Sequence, residues 1–258
     1  MPLEDDFCDI IRKARTGQDI RLAEAASRAG IPALRLQALE AGQMPTSGEA
    51  ERLAQVLSLR RGQLRAIATG RTMPPPAGQA AGFAVTPVFA ADVGGFAYAV
   101  HGPAGRLLVD CGGHVPQLLA ALKGVPEGVL LTHGHHDHVA GLPALPQGVP
   151  VYAHPELSRQ IPGARPLADG EMVLGFTAMY APGHSPDMLA LVAEGLAFVG
   201  DTLFAGSLGR ASAPASYPAL LESARRILSL PPGTLLFCGH GPVTTVAWER
   251  EHNAFPVA

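Results

Sequence analysis

The stretch from Thr132 to His138 contains the spacing His-x-His-x-Asp-His, which places three imidazoles and a carboxylate within six residues. Neutral imidazole and carboxylate oxygen are the ligands that zinc and other borderline divalent ions prefer. Such a dense cluster is hard to explain as core packing, because buried histidines need hydrogen-bond partners and crowded polar groups would be left short of them. The motif therefore predicts a metal centre, in which the intervening His136 is a spacer or a residue that supports the ligands from outside the metal sphere.

One motif of this kind can serve two metal ions. Alternate residues of an extended loop face the same side, so His133 and His135 point to one position, while Asp137 and His138 begin the next turn and face its neighbour. Two-metal hydrolases hold their ions about 3.5–4 Å apart, and each ion needs a further protein ligand, preferably with a carboxylate that bridges the two. Three later residues, each preceded by glycine, have the required types: His184, Asp201 and His240. We predict a two-metal hydrolytic site.

The length and charge of the chain allow more than one module. Its 258 residues suffice for one large domain or for a medium domain with a small one. The net charge of −3 gives no general attraction to nucleic acid or to an anionic membrane. The first 72 residues carry eleven Lys/Arg against nine Asp/Glu, whereas the remainder carries eight against thirteen. This asymmetry hints at two modules with different partners.

Cysteine usage and the N-terminal residues bear on the compartment. Three cysteines without a framework spacing argue against a disulfide scaffold. The acidic N-terminal residues lack the apolar stretch of a secretory signal, and no window approaches the roughly 18 apolar residues of a membrane span. The sequence predicts a cytoplasmic protein with free thiols and no membrane partner.

Two segments of the chain differ in texture. Residues 6–68 are rich in helix-forming residues, with apolar side chains at helical spacing and glycines that divide them into short helices. A Pro/Gly-rich stretch follows at 70–79 and cannot be helical. We predict a helical domain over residues 1–70, a linker over 71–82 and a larger domain over 83–258.

The larger segment consists of short apolar runs bounded by glycine and proline, which are typical of strands. Strands are predicted at 83–89, 96–100, 106–110, 128–131, 149–154, 172–180, 188–192, 196–199 and 234–237, and helices at 115–122 and 217–230. Many strands with interspersed helices predict a layered α/β domain. The candidate metal ligands fall at strand ends or in the loops that follow, where a rigid scaffold can present convergent groups.

The order and context of these motifs resemble the metallo-β-lactamase superfamily and, within it, the glyoxalase II-like hydrolases. The residues that carry the likeness are the histidine motif and the stretches 200–210, 239–245 and 249–255. The resemblance covers roughly residues 83–255. It implies an α/β fold of the αββα type, in which two mixed sheets are flanked by helices.

The resemblance also implies a ligand set. It assigns His133, His135 and His184 to the first metal, Asp137, His138 and His240 to the second, and Asp201 to both as a bridge. Asp110 matches an aspartate that orients ligands from outside the metal sphere. A carboxylate that caps the turn after a strand is the alternative reading of Asp110.

The implied reaction is hydrolysis of a thioester, such as an S-acylglutathione, by a hydroxide that bridges two divalent ions. Zinc is the expected metal, with iron or manganese as alternatives, and Asp137 and Asp201 are the expected catalytic carboxylates. A thiolate leaving group needs little protonation, so no separate strong general acid is required. The alternative functions are a lactonase, a mononuclear iron persulfide dioxygenase that uses residues matching His133, His184 and Asp201, and a metabolite-sensing DNA-binding regulator.

The sequence departs from the glyoxalase II pattern where the substrate would be held. It ends soon after Phe255, so the C-terminal helical domain with which full-length glyoxalase II enzymes grip glutathione is expected to be missing. The candidates for binding substrate carboxylates are Arg210, Arg225, Arg226 and Arg250, with solvated surface arginines as the alternative. The substrate is therefore weakly constrained.

Residues 6–68 resemble the Cro/C1-type helix-turn-helix domain. The likeness rests on Leu22-Ala23, Gly30-Ile31, Leu36, Leu39-Glu40 and Gly42. A recognition helix reads base edges with polar side chains near its N-terminal end, where this chain offers Arg35 and Gln37. The small positive charge gives little phosphate-driven affinity for DNA. DNA is thus an alternative partner, and formation of a homodimer or covering of the substrate is the favoured use of these helices.

Overall fold

A computed structural model of the protein describes residues 2–70, 73–76 and 78–257. Three positions of the predicted linker, Arg71, Thr72 and Ala77, lie outside the described residues. The described remainder of the linker forms coil that ends in a turn at residues 81–82. The division into domains at this point stays a prediction.

The N-terminal segment forms short helices, as its composition predicts. They are α1 (Phe7–Gly17), α2 (Leu22–Ala29), α3 (Ala33–Glu40), α4 (Ser47–Val56) and α5 (Arg61–Ala68). Helix α4 begins at a capping box, in which Thr46 and Glu49 each accept the other's backbone N–H. Helix α2 ends at Gly30, whose φ of +62° favours glycine over other residues. The structure confirms helices here and does not by itself assign them a DNA-binding role.

The first sheet contains six strands among the described residues. They are β1 (Ala84–Ala90), β2 (Gly95–Gly102), β3 (Gly105–Val109), β4 (Gly128–Leu130), β5 (Val151–Ala153) and β6 (Arg165–Pro166), in that spatial order. The first three strands pair antiparallel, and β3 to β6 run parallel. The helices between them are α6 (Val115–Leu122), α7 (His136–Val139) and α8 (Pro155–Ser158), with a 3₁₀ turn at Leu142–Ala144.

The second sheet has the order β14-β13-β10-β9-β8-β7 in the described part of the chain. Its strands are β7 (Met172–Val173), β8 (Phe176–Tyr180), β9 (Leu189–Ala193), β10 (Leu196–Gly200), β13 (Leu235–Cys238) and β14 (Thr244–Thr245). A small hairpin of β11 (Leu203–Phe204) and β12 (Ser207–Leu208), a 3₁₀ turn at Pro214–Ser216 and the helices α9 (Tyr217–Leu228) and α10 (Val246–His252) complete the fold. Of the strand pairs of this sheet within the described residues, only β10 and β13 run parallel; the other pairs are antiparallel.

Strand alternation builds the layers. Phe96, Tyr98 and Val100 of β2 face the core between the two sheets. The intervening alanines of β2 pack with α6 and α8 on the outer side of the first sheet. On the second sheet Phe198 likewise faces the inner core, while Val199 belongs to the cluster that contains α9. The predicted αββα sandwich is therefore confirmed, because a period of two places successive side chains on opposite faces.

The N-terminal helices pack on the outer layer of the second sheet and share one apolar cluster with α9 and the C-terminal tail. Backbone and side-chain hydrogen bonds join the two parts as well. The backbone N–H of Arg60 donates to the carbonyl of Ala254 at 2.8 Å, and its guanidinium donates to the carbonyl of Arg250 at 2.9 Å.

One predicted strand was wrong in its extent. The run 172–180 is a hairpin of β7 and β8 rather than a single strand. Leu174 and Gly175 form the turn with φ values of +51° and +85°, and Gly175 was the local signal for it. Among the described residues, no helix is both long and apolar enough to cross a bilayer.

Candidate metal centre

The seven predicted ligands meet at one end of the sandwich. Their donor atoms form two groups, within each of which all atoms lie no more than 4.8 Å apart. The first group contains His133, His135, His184 and Asp201, and the second contains Asp137, His138, His240 and Asp201. Asp201 is shared by both groups, as the bridging role requires. The structure brings these side chains together, and their binding of metal stays a prediction.

Strand ends position these residues. His133 follows β4 by three positions, Asp201 comes directly after β10, and His240 lies two residues after β13. The carboxyl ends of β3 and β4 in one sheet, and of β10 and β13 in the other, open at the same edge of the sandwich because each pair is parallel. Residues 135–138 form the first turn of α7, which carries Asp137 and His138 into the second group.

Asp110 lies beneath both groups. It follows β3, is 1% exposed, and accepts hydrogen bonds from the backbone N–H and the hydroxyl of Thr132, both at 2.8 Å. Its other contact is Nδ1 of His138 at 2.8 Å. The Thr132 hydroxyl, having donated to Asp110, accepts from Nδ1 of His133 at 3.1 Å. One carboxylate thus orients a histidine of each group and also caps the turn after β4, so the two readings of Asp110 are compatible.

Backbone carbonyls orient two further histidines. Nδ1 of His184 lies 2.9 Å from the carbonyl oxygen of Arg210, and Nδ1 of His240 lies 3.0 Å from that of Gly94. A carbonyl oxygen only accepts, so Nδ1 carries the proton in both rings. The Nε2 atoms of both rings therefore face the centre, where Nε2 of His240 is 3.1 Å from Oδ2 of Asp137.

Several atoms at the centre are suited to a metal ion. Within the described residues, Nε2 of His133, Nε2 of His138 and Oδ1 of Asp201 are buried without a hydrogen-bond partner. Buried polar atoms rarely stay unsatisfied in folded proteins. Nε2 of His184 and Nδ1 of His135 also approach to 3.0 Å. Imidazole nitrogens and a carboxylate that converge in this way fit divalent metal ions.

Charge in the site follows from burial and from neighbouring groups. Burial raises the pKa of Asp201, but the imidazoles of His138 and His240 outweigh it and bring that pKa well below its ordinary value. Burial lowers the pKa of His240, but Asp137 and Asp201 outweigh it and raise that pKa to about 10. A proton on Nε2 must leave before that nitrogen can bind a metal, so metal affinity should rise with pH.

Two glycines allow the ligands to approach. A Cβ on Gly239 would overlap Oδ1 of Asp201 and the ring of His138. A Cβ on Gly112 would overlap the backbone carbonyl of Asp137. Any side chain at these positions would displace donor groups, which explains the glycines beside the motif.

The remaining candidates lie outside the two groups. His136 is exposed. Cys238 is fully buried and its thiol faces the carbonyl of Leu236 at 3.9 Å, as a small core residue would. Arg225, Arg226 and Arg250 donate to backbone carbonyls of Pro256, Tyr180 and Leu228, respectively. Arg210 is exposed and lines a cleft of about 470 Å³ together with Arg12 and Arg21 of the helical segment.

The N-terminal segment contributes contacts beside the candidate metal centre that were not predicted from the sequence. The Lys13 ammonium lies 4.7 Å from the centroid of the Phe204 ring, whose edge-to-face partner at 5.5 Å is His240. Lys13 also forms an ion pair with Asp5 at 2.5 Å. The contact between Lys13 and Phe204 joins residues nearly two hundred positions apart, and no local pattern indicates it. Thr132 was missed too, although its place between β4 and His133 was a usable signal.

Comparisons with known proteins agree with this geometry. The family model "Metallo-beta-lactamase superfamily" matches residues 90–167 and 166–240, more than half of the chain. A hydroxyacylglutathione hydrolase of Nitrosomonas eutropha is 33% identical over 154 residues, which are 56% of this chain and 60% of that protein. A hydroxyacylglutathione hydrolase of Xanthomonas euvesicatoria is 37% identical over 142 residues, 52% of this chain and 55% of that protein. The chain therefore spans little more than half the length of these relatives.

Among solved structures, the crystal structure of TTHA1623 in a di-iron-bound form is 35% identical, with a TM-score of 0.56. The match covers 66% of this chain and 98% of that one. The residues that the family model matches, 90–240, include all seven of the convergent side chains. The chain belongs to the metallo-beta-lactamase superfamily.

Proposed function

We propose that the protein is a metal-dependent hydrolase that cleaves a thioester, with an S-acylglutathione as the type of substrate. The observation that carries the proposal is the pair of four-donor groups that share Asp201. In this proposal His133, His135 and His184 hold one ion, and Asp137, His138 and His240 hold the other. Two bound divalent ions would supply a water of lowered pKa and polarise the substrate carbonyl.

In the proposed reaction, residues of the chain would bind the reactants and accept the proton that the attacking water releases. Oδ2 of Asp137 is 3.1 Å from Nε2 of His240 and 3.5 Å from Nε2 of His138, and the side chain keeps 22% of its surface exposed. A carboxylate in this position can accept a proton from the attacking water. A thiolate leaves without strong protonation, which matches a centre whose carboxylates serve as acceptors.

In an S-acylglutathione the thiol-bearing part of the substrate is glutathione, which carries carboxylates. The cleft lined by Arg21 and Arg210 offers guanidinium groups on the His184 side of the centre, since the carbonyl of Arg210 orients His184. Arg12 lines the same cleft but is paired with Asp9. Guanidinium groups bind carboxylates through two parallel hydrogen bonds. The relatives named hydroxyacylglutathione hydrolase point to the same carrier, although they match over only part of their length.

We infer that the helical segment serves the hydrolase rather than DNA. Arg35, the main candidate for reading bases, donates to both carboxylate oxygens of Glu49, at 2.8 and 2.9 Å. A bidentate ion pair of this kind would have to break before Arg35 could reach a base. The segment instead packs on the sandwich beside His240.

The proposed metal is zinc, with iron and manganese as the competitors. Free cysteines in the described chain suit a reducing cytoplasm, where we place the reaction. Elemental analysis of the protein purified from unsupplemented medium identifies the resident ion and counts it per chain. Two ions per chain are expected, and one or none would contradict the shared role of Asp201.

The test of the function is hydrolysis of S-lactoylglutathione and of longer S-acylglutathiones by the metal-loaded protein. We expect turnover within the usual enzyme range of about 1–1,000 per second. His135→Ala should abolish it. His136→Ala is the matched control, because this exposed neighbour lies outside both donor groups. Activity that survives His135→Ala, or none in the wild type, would overturn the proposal.

A further inference from the structure

A cavity of about 380 Å³ borders the candidate metal centre on the side of His240. It is lined by His240 and by Gly94, whose carbonyl accepts the proton of Nδ1 of that ring. Nε2 of the same ring faces Asp137 and Asp201 at 3.1 and 3.3 Å. The ring of His240 therefore lies between the cavity and the carboxylates of Asp137 and Asp201.

The walls of this cavity are mainly apolar. Phe89 and Phe96, at the two sides of the β1–β2 hairpin, pack with ring centroids 5.1 Å apart. Phe89 keeps 51% of its surface exposed, so a ligand that covered this ring would remove apolar area from water. Leu3 and Pro2 also line the cavity.

The N-terminal residues are held in place as a wall. Asp5, beside the lining residue Glu4, accepts from the Lys13 ammonium at 2.5 Å and from the Ser207 hydroxyl at 2.6 Å. The Cβ and backbone nitrogen of Glu4 lie so close to Gly241 that a Cβ there would be 3.1 Å from each. Lys13 of α1 and Ser207 of β12 thus hold the residue that follows Glu4 in place.

We propose that this cavity holds the acyl group of the substrate, so that the preferred thioesters carry an apolar, uncharged acyl group of medium length. This inference rests on the proposed function. The volume lies within the range of small-molecule sites, about 300–1,000 Å³, and a small hydroxyacyl group would leave most of it unfilled. The carboxylate of Glu4 at the same wall opposes an acyl group that ends in a negative charge.

The position of Glu4 supports the closeness of cavity and centre. Burial is the main cause that raises the pKa of Glu4, and the charges of His240 and Asp201 act on it as well. Glu4 and His240 line the same cavity. Because His240 also belongs to the second donor group, the cavity adjoins the candidate metal centre.

Alkyl hydroxamic acids test the inference without any turnover, because the hydroxamate chelates metal ions and its tail stands in for the acyl chain. Dissociation constants of acetohydroxamate, butanohydroxamate and hexanohydroxamate for the metal-loaded protein are measured by calorimetry. We expect the affinity to rise with each methylene, by about fourfold at most if the group is fully buried.

Phe89→Ala should flatten this dependence, with the smallest change in dissociation constant for acetohydroxamate, which has the shortest tail. Phe89 is half-exposed, so its truncation should not prevent folding. Met172→Ala is the matched control, because Met172 is 73% exposed on β7 and does not line the cavity. Equal chain-length dependence in Phe89→Ala and wild type would overturn the inference, as would no dependence in the wild type or no hydroxamate binding.

A charged tail tests the role of Glu4. The monohydroxamate of adipic acid should bind more weakly than hexanohydroxamate, and Glu4→Gln should reduce that difference at least severalfold. An unchanged preference in Glu4→Gln would contradict the assignment of Glu4 as a selecting residue.

The two proposals, thioester hydrolysis and an acyl site in this cavity, can fail independently, and the measurements distinguish the two failures. Chain-length-dependent hydroxamate binding that Phe89→Ala removes, without thioester hydrolysis, keeps the acyl site and refutes the proposed function. Hydrolysis of S-acylglutathiones at rates independent of chain length, with length-independent hydroxamate binding, refutes the acyl site and keeps the function.

Discussion

Two buried carboxylates, Asp110 and Glu249, show how differently the same group can be used in this fold. Asp110 is 1% exposed and accepts from Thr132 and His138 at 2.8 Å. Glu249 is fully buried and accepts from Thr244 and Asn253 at 2.7 Å, and from the backbone of Gly206 at 3.1 Å. Asp110 therefore touches an imidazole that can carry a positive charge, whereas all the partners of Glu249 are neutral.

The hydrogen-bond networks of Asp110 and Glu249 also reach different parts of the molecule. Through His138 and the Thr132 hydroxyl, Asp110 acts on one histidine in each donor group, so it fixes the orientation of ring nitrogens. The Glu249 network ends in the loop between β11 and β12 and in the tail, where Asn253 also donates to the carbonyl of Ser207. We infer that the Asp110 network organises metal binding and that the Glu249 network joins the tail to the loop.

The largest expected effect on metal binding comes from Asp110→Asn. The amide would place an N–H against Nδ1 of His138, which must then accept, so the proton moves to Nε2 and blocks the donor atom. Removing such a partner typically costs about 10–100-fold in metal affinity, and competition with a chromophoric chelator measures it. Glu249→Gln is the matched control, since it makes the same carboxylate-to-amide change in an equally buried place. Equal metal affinities of Asp110→Asn and Glu249→Gln would show that the two buried carboxylates do not differ in their effect on metal binding.

Thr132→Val should have a smaller and one-sided effect. The variant keeps the shape and the backbone N–H to Asp110, but it removes the hydroxyl that links Asp110 to His133. We expect one of the two metal-binding steps to weaken by about tenfold, the low end for such partners, and the other to stay unchanged. Thr132→Ser should bind as the wild type does. Equal weakening of both steps would show that Thr132 does not act through His133.

The fold and the donor set could be predicted because their signals are local. Alternation such as Phe96, Tyr98 and Val100 identifies strands, and the histidine motif places four donors within six residues. Strands of two residues, such as β11 and β12, carry no period and were not predicted. The split at Gly175 was missed because the apolar residues on both sides read as one run.

Contacts between distant segments could not be predicted. The bond from Lys13 to the carbonyl of Leu208 spans 195 positions, and that from Ser207 to Asp5 spans 202. Nothing in the helical periodicity of residues 6–68 indicates which face meets the sandwich, because the partner surface belongs to the tertiary structure. The convergent donor residues were predicted from residue types and from the family resemblance, whereas the wall beside His240 depends on how the two parts pack.

Glu249→Gln is expected to have the smallest effect on metal binding and a distinct effect on the pH dependence of stability. Burial raises the pKa of Glu249 from its ordinary 4.5 to about 8, although its hydrogen-bond donors act in the opposite direction. Between these values the folded chain holds a proton that the unfolded chain has released, so the contribution of Glu249 to stability falls as pH rises from 4.5 and is lost above about 8. Glutamine does not titrate and removes this contribution to the slope. The difference in Tm between wild type and variant should therefore shift against the wild type from pH 5 to 8 and level off above it. Metal loss at low pH affects both proteins alike, so the difference isolates Glu249, and parallel Tm curves would show that this carboxylate keeps an ordinary pKa despite its burial.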